Sequence, residues 1–313
     1  MKIKRNKYHF LFIVFIFIML LVVSSVNAII KYNEQKRNVY SKMDIILENK
    51  SQEIEKFITK QEKFFWQAYN QNLFIKLLET NKQDLEYNQT LNETINYFEK
   101  FPTTSMGVID NKGIIVADKE RWLIGYDTTE SYPESIMYLK EDFYEKENTY
   151  MILPHPDSGI FYLLIMKKIF NKKGEFLGYF SYRVPDEEMV KFLMDLNGES
   201  NFIESYLVNE NLFLLTPSKI LKKENSGVLT QVINTSTVSQ CVNNIEAIKQ
   251  NKEINKSSGE IIEYITYSGD EVVGIYNIIL SPRWCLIVEI NKEKMFEDFF
   301  KKIITNQLPA SFL

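Results

Sequence analysis

Between Tyr8 and Ile30 the chain carries no Lys, Arg, Asp or Glu, and Phe10 to Val23 is apolar without a break. About 20 such residues suffice to cross the hydrocarbon core of a bilayer, so a transmembrane helix is predicted here. Beyond it the pattern changes. From Lys31 to about Leu78 there is no Pro or Gly, and Tyr40, Met43, Leu47, Ile54, Phe57, Phe64 and Ala68 recur at steps of three, four or seven, with Lys50 and Gln61 at the two polar positions of the stripe. That spacing predicts an amphipathic helix of ~45 residues, about 65 Å long at 1.5 Å per residue. A small core does not need such a length. The helix reads as a stalk leaving the membrane, and its seam gives a candidate homodimer contact.

After a polar stretch over 81–92 and a short helix ending near Lys100, the period falls to that of strands bounded by turn residues. Met106 to Asp110, the Asn111-Lys112-Gly113 turn and Ile114 to Asp118 read as a hairpin. A helix-compatible segment follows over 132–147. Then come Tyr150 to Leu153, Phe161 to Phe170, a turn at Asn171 to Gly174, and Glu175 to Val184. Together they predict a five-stranded antiparallel sheet with a helical crossover on one side. A weaker copy follows: Phe202 to Val208, a turn, Leu212 to Leu215, a long variable segment, and strands over 260–267, 271–279 and 283–290. The repeat is one of architecture, hardly of sequence.

Lys2, Lys4, Arg5 and Lys7 precede the apolar segment, and the positive-inside bias places everything after Ile30 outside the cell. Val26-Asn27-Ala28 offers the alternative of signal-peptide cleavage, but the apolar stretch exceeds the ~7–15 residues usual for that purpose. Residues 299–313 contain Lys301, Lys302 and Pro309, so a single span is expected. A net charge of −4 and a pI near 5.5 argue against nucleic-acid binding, which needs a clustered basic face. Cys241 and Cys285 form no CxxC or Cys/His pattern. They can pair outside the cell, although the strand-like run around Cys285 favours a buried free thiol. His155 stands between two prolines and the other histidine, His9, lies in the apolar segment, which leaves neither a Ser/His/Asp assembly nor a metal site to expect. No enzyme and no cofactor is expected.

The order and spacing of Gly107-Val108-Ile109-Asp110-Asn111-Lys112-Gly113, Phe176-Leu177-Gly178-Tyr179-Phe180, Val272-Val273-Gly274-Ile275-Tyr276 and Trp284-Cys285-Leu286-Ile287-Val288-Glu289, behind an anchor and a stalk, resemble the double Cache sensors. These are the PAS-like extracytoplasmic modules of bacterial chemoreceptors, sensor histidine kinases and diguanylate cyclases. The resemblance implies an α+β fold: an N-terminal transmembrane helix and long stalk helix followed by two tandem PAS-like antiparallel-sheet modules. The expected divisions are 1–30 for the tail and anchor, 31–100 for the stalk and connecting helix, 101–195 for a membrane-distal module, 196–290 for a membrane-proximal module and 291–313 for a closing helix. The implied function is small-molecule sensing in a receptor whose output module is absent, with a stand-alone exported binding protein as the alternative.

Amino-acid-binding members resemble one another in a Tyr, Arg, Trp-Tyr run on the distal helix and an acidic residue from a facing loop. Here Tyr132 and Tyr138 match tyrosines of that run, Ser135 replaces the arginine and Met137 the tryptophan, while Asp157 keeps the acidic position. A serine hydroxyl cannot replace a bidentate guanidinium as a carboxylate clamp. The resemblance therefore implies a ligand-binding set of Tyr138, Asp157, Tyr132, Trp122 and Ser135, and an amine or neutral ligand in preference to a free amino acid.

Overall fold

The computed structural model describes residues 2–131, 149–154, 161–192, 203–217, 227–250 and 261–297, apart from positions 102, 104, 186, 190 and 296. Helix α1 (Lys2–Ala68) is unbroken over 67 residues, so anchor and stalk are one rod. Its N-terminal part includes an unburied window of mean hydropathy 2.4, long and apolar enough to cross a membrane. The rod stops about ten residues earlier than the periodicity predicts. Asn70 turns its side chain back to accept the N–H of Leu73 at 3.2 Å, which ends α1 and caps α2 (Gln71–Glu79). Helix α3 (Leu85–Phe98) packs beside α2.

Met43, Leu47, Ile54, Ile58, Phe65 and Ala68 form the buried line of α1, while Phe57 and Phe64 sit half-buried on its flank. The line is filled by the chain's own two sheets. One core joins it to Val108, Phe180 and Tyr182 of the first sheet and to Val273, Ile275, Leu286 and Val288 of the second. From Met43 to Ala68 the seam is thus covered by the chain's own sheets. Gln61 is buried in this seam because it is fully used: it accepts from the Tyr182 hydroxyl at 3.2 Å and donates to Glu188 at 2.6 Å. Ser51 plays the same part lower down, donating to the Leu47 carbonyl and accepting from Asn277 at 2.8 Å.

Five antiparallel strands make the first sheet, in the order β2-β1-β5-β4-β3. They are β1 (Ser105–Asp110), β2 (Ile115–Asp118), β3 (Thr149–Pro154), β4 (Phe161–Phe170) and β5 (Phe176–Arg183). A 3₁₀ turn, Arg121–Leu123, and the short helix α4 (Thr128–Ser131) follow β2. The predicted crossover helix over 132–147 lies outside the described residues. In the first hairpin Gly113 takes φ +90°, and the Asp110 carboxylate accepts the N–H groups of Lys112 and Ile114.

The second sheet has four strands, β6 (Ile203–Val208), β7 (Ile262–Ile265), β8 (Glu271–Ile279) and β9 (Trp284–Asn291), in the order β6-β9-β8-β7. The predicted strand at Leu212–Leu215 is not part of it. Asn209 accepts the N–H groups of Asn211 and Phe213, and Leu212 adopts φ +67°, so the chain coils there and makes isolated bridges only. Within the segment read as variable stands an unpredicted helix, α5 (Ser236–Lys249), capped by the Thr235 hydroxyl. Cys241 on α5 and Cys285 on β9 form a disulfide with Cα atoms 6.1 Å apart, which corrects the expectation of a free thiol. Strand alternation turns Cys285 to the face that α5 covers.

Both sheets reach α1 together in one polar cluster among the described residues. Tyr150 of β3 donates to Glu62 of α1, and Ser281, in the turn between β8 and β9, lies 3.2 Å from the Tyr150 hydroxyl and 3.4 Å from Glu62. Burial holds the Glu62 carboxyl above its ordinary range, partly offset by Ser281.

Candidate functional site on the first sheet

Alternation gives the first sheet two faces. Met106, Val108, Leu163, Ile165, Phe180 and Tyr182 point into the core shared with α1. The opposite face carries Ser105, Gly107, Ile109, Asp118, Tyr162, Leu164, Met166, Tyr179, Ser181 and Arg183 in neighbouring register positions. One end of this face is apolar: Ile109, Ile115, Met166 and Tyr179 pack with Leu123 and Phe176. The other end is polar.

Asp118 closes β2, a strand otherwise apolar, and is only 3% exposed. Its Oδ1 accepts the N–H of Glu120 at 2.7 Å, and the Ser105 hydroxyl lies 3.3 Å from Oδ2. Burial raises the Asp118 carboxyl to about 7, against the opposing pull of the Glu120 N–H, Ser105 and the nearby Arg183. Gly107 faces Asp118 in the register, and a Cβ there would come within 2.5 Å of Oδ2. The glycine is what lets the carboxyl lie across β1. On the next strand Ser181 donates to the Gly107 carbonyl at 3.3 Å, and the Arg183 guanidinium lies over the Tyr162 ring at 4.6 Å. A buried acid, a stacked guanidinium, two hydroxyls and an apolar floor thus share one face, a combination suited to orienting a small polar molecule. Among the described residues no group of three or more His, Cys, Asp or Glu side chains is placed to hold a metal ion.

Of the predicted site residues, Tyr132, Ser135, Tyr138 and Asp157 lie outside the described residues. Trp122 is in the 3₁₀ turn after β2 and is 70% exposed, while its neighbour Leu123 packs on the sheet. Sequence reasoning missed Asp118, Arg183, Tyr162, Ser105 and Ser181. The available signal was a charged residue ending each of two strands that carry no other charge.

A profile of the Cache domain matches residues 31–299. The chain belongs to the Cache-domain family. Its two sheets, each packed on the long N-terminal helix, are the double form of that family. Among solved structures, the periplasmic sensory domain of the Campylobacter jejuni chemoreceptor Tlp1 is similar at 16% identity and a TM-score of 0.53, over 84% of this chain and 98% of that one. The sensor domain of the V. cholerae histidine kinase DctB matches at 13% identity and a TM-score of 0.52, over 82% of this Cache chain and 99% of its own. The ligand-binding domain of the Pseudomonas fluorescens chemoreceptor CtaA, solved with L-isoleucine, matches at 12% identity and a TM-score of 0.50, over 85% and 98%. At these identities the likeness is one of fold. A sequence comparison with curated proteins gives no match.

Proposed function

We propose that this Cache protein is an extracytoplasmic small-molecule sensor, held at the membrane by the apolar part of α1, that receives its ligand on the face of the first sheet turned away from α1. The observation that carries this reading is the group of Asp118, Arg183 and Tyr162 beside an apolar floor on that face. The first sheet is then the membrane-distal module and the second the proximal one, and the role is binding rather than catalysis. Ligand closure reaches the rest of the chain through the contact of Tyr150, Glu62 and Ser281, where the first sheet, α1 and the second sheet meet.

For ligand class, the resemblance favours an amine or neutral metabolite. Asp157 retains an ammonium partner, Tyr138, Tyr132 and Trp122 offer aromatic faces, and Ser135 lacks a carboxylate clamp. Arg183 supports a second reading, in which a carboxylate-bearing ligand such as an amino acid is held by a cation on β5 instead. Thermal-shift screening of the full chain separates the two, since a ligand at 100 times its dissociation constant adds about 2.7 kcal/mol. Amines that raise the melting temperature, with the effect lost in Asp157→Ala, support the first. Amino acids that raise it, with the effect lost in Arg183→Ala and retained in Asp157→Ala, replace it by the second. Ligand shifts that survive Asp118→Asn, Asp157→Ala and Arg183→Ala alike overturn the site.

A further inference from the structure

The second sheet carries a different polar group on its own outward face, beneath α5. Glu204 of β6 and Glu289 of β9 stand directly opposite in the register and are 7% and 2% exposed. Opposed side chains on one face have Cβ atoms about 5 Å apart, so two buried carboxylates here repel strongly. Tyr206 and Tyr264 both donate to Oε1 of Glu289, while its Oε2 is buried without a hydrogen-bond partner among the described residues. Gly274 makes this possible, because a Cβ there would meet the Tyr264 hydroxyl at 2.4 Å. The described groups that act on Glu289 are Glu204 and Tyr206 from β6 and Tyr264 from β7, with Tyr267, from the turn beyond it, edge-on to Tyr206. Strand β8 adds Tyr276, held by Asn244, and the start of α5 adds Thr235 and Thr237 beside Tyr264.

Two buried carboxyls opposed across β6 and β9, one with its Oε2 unpartnered among the described residues, favour a shared proton over two anions, against the pull of the two phenols on Oε1. We propose that Glu289, backed by Glu204, is a proton-binding site that makes the second module respond to external pH, the proton keeping α5 closed on the sheet and its loss loosening that contact. Burial first, and Glu204 second, raise the Glu289 carboxyl to about 7, while the two tyrosine hydrogen bonds pull it down. Because the folded value is raised, the stabilisation is complete at low pH and is lost as pH rises through about 7. The site shares no residue with the face of the first sheet.

The test uses the full chain in lipid nanodiscs, in an Asp118→Asn background so that the first sheet's carboxyl is silent. Infrared difference spectra should show a protonated-carboxyl carbonyl band that disappears near neutral pH and is absent in Glu289→Gln. Hydrogen exchange of the α5 amides, corrected for intrinsic rates, should be at least about tenfold faster at about pH 8 than at about pH 5.5, because the folded value of about 7 lies more than one unit above the ordinary glutamate value, and flat in Glu289→Gln. Should Glu289→Gln fail to fold, Glu204→Gln serves instead and should move the band's midpoint to lower pH. A band that neither substitution alters, or α5 exchange that ignores pH, overturns the proposal.

Discussion

On the first sheet the outward face mixes charge signs, with Asp118 against Arg183, and reserves an apolar strip beside them. The corresponding face of the second sheet has two carboxyls ringed by phenols and is sealed by α5, with Val238, Cys241 and Ile245 packed on Ile287. Both faces use the same local device: a glycine on an inner strand, Gly107 or Gly274, leaves room for the polar side chain of the neighbouring edge strand to lie flat across the sheet. What differs is the lid. One module covers its polar group with a helix cross-linked to the sheet through Cys241 and Cys285, and the other has no such tie among the described residues. A shared fold therefore frames a mixed-charge face in one module and a like-charge, helix-covered face in the other.

The largest expected effect breaks the contrast at its lid. Replacing Cys241 and Cys285 together by alanine should destabilise the second module by about 4 kcal/mol, as the 44-residue separation and loop-closure entropy suggest. Chemical denaturation followed by a probe in each sheet should then show the second sheet melting first; coincident loss of both would mean the modules do not unfold separately. Next come the two glycines. Gly107→Ala and Gly274→Ala should each cost about 1–3 kcal/mol by overpacking, Gly107→Ala with Asp118 displaced and ligand response reduced, Gly274→Ala with ligand response kept. Equal loss of binding in both would erase the division of labour.

Smaller is the pH dependence of the first sheet. The Asp118 carboxyl is raised to about 7, so its neutral form stabilises the fold at low pH, and that contribution declines as pH climbs from the ordinary aspartate range through about 7. The slope approaches ~1.4 kcal/mol per pH unit, and Asp118→Asn should flatten it in melting curves measured across that range. Smallest of all is the exposed ion pair of Lys36 with Glu263, 3.3 Å apart at the lower end of the second sheet. Lys36→Ala should change stability by less than about 0.5 kcal/mol, and a shift well beyond that would show that α1 is anchored there by charge rather than by packing.

The strands were legible as apolar runs bounded by turn residues: all five of the first sheet, and the four that pair in the second, match the predicted runs to within about two residues at either end. The helix α5 was not. Its apolar positions, Val238, Cys241, Val242, Ile245 and Ile248, recur at helical spacing, but Ser, Thr, Asn and Gln fill much of the rest and its start at Asn234-Thr235-Ser236 has loop composition until the cap is seen. Leu212–Leu215 misled for the opposite reason, an apolar run bent by the Asn209 side chain. The end of α1 was overrun because Asn70 is the sole break in a stretch without Pro or Gly. At the site, the positions drawn from family resemblance fall outside the described residues except Trp122, whereas Asp118 and Arg183 become visible only once register sets β1, β2 and β5 side by side.

The unbroken course of α1 turns geometry into leverage. A helix of 67 residues is about 100 Å long, so a tilt of only about 1° imposed where it meets Phe180 and Tyr182 corresponds to nearly 2 Å at the opposite end. Neither glycine nor proline occurs anywhere in α1, so two of the commonest causes of a kink are missing along its whole length.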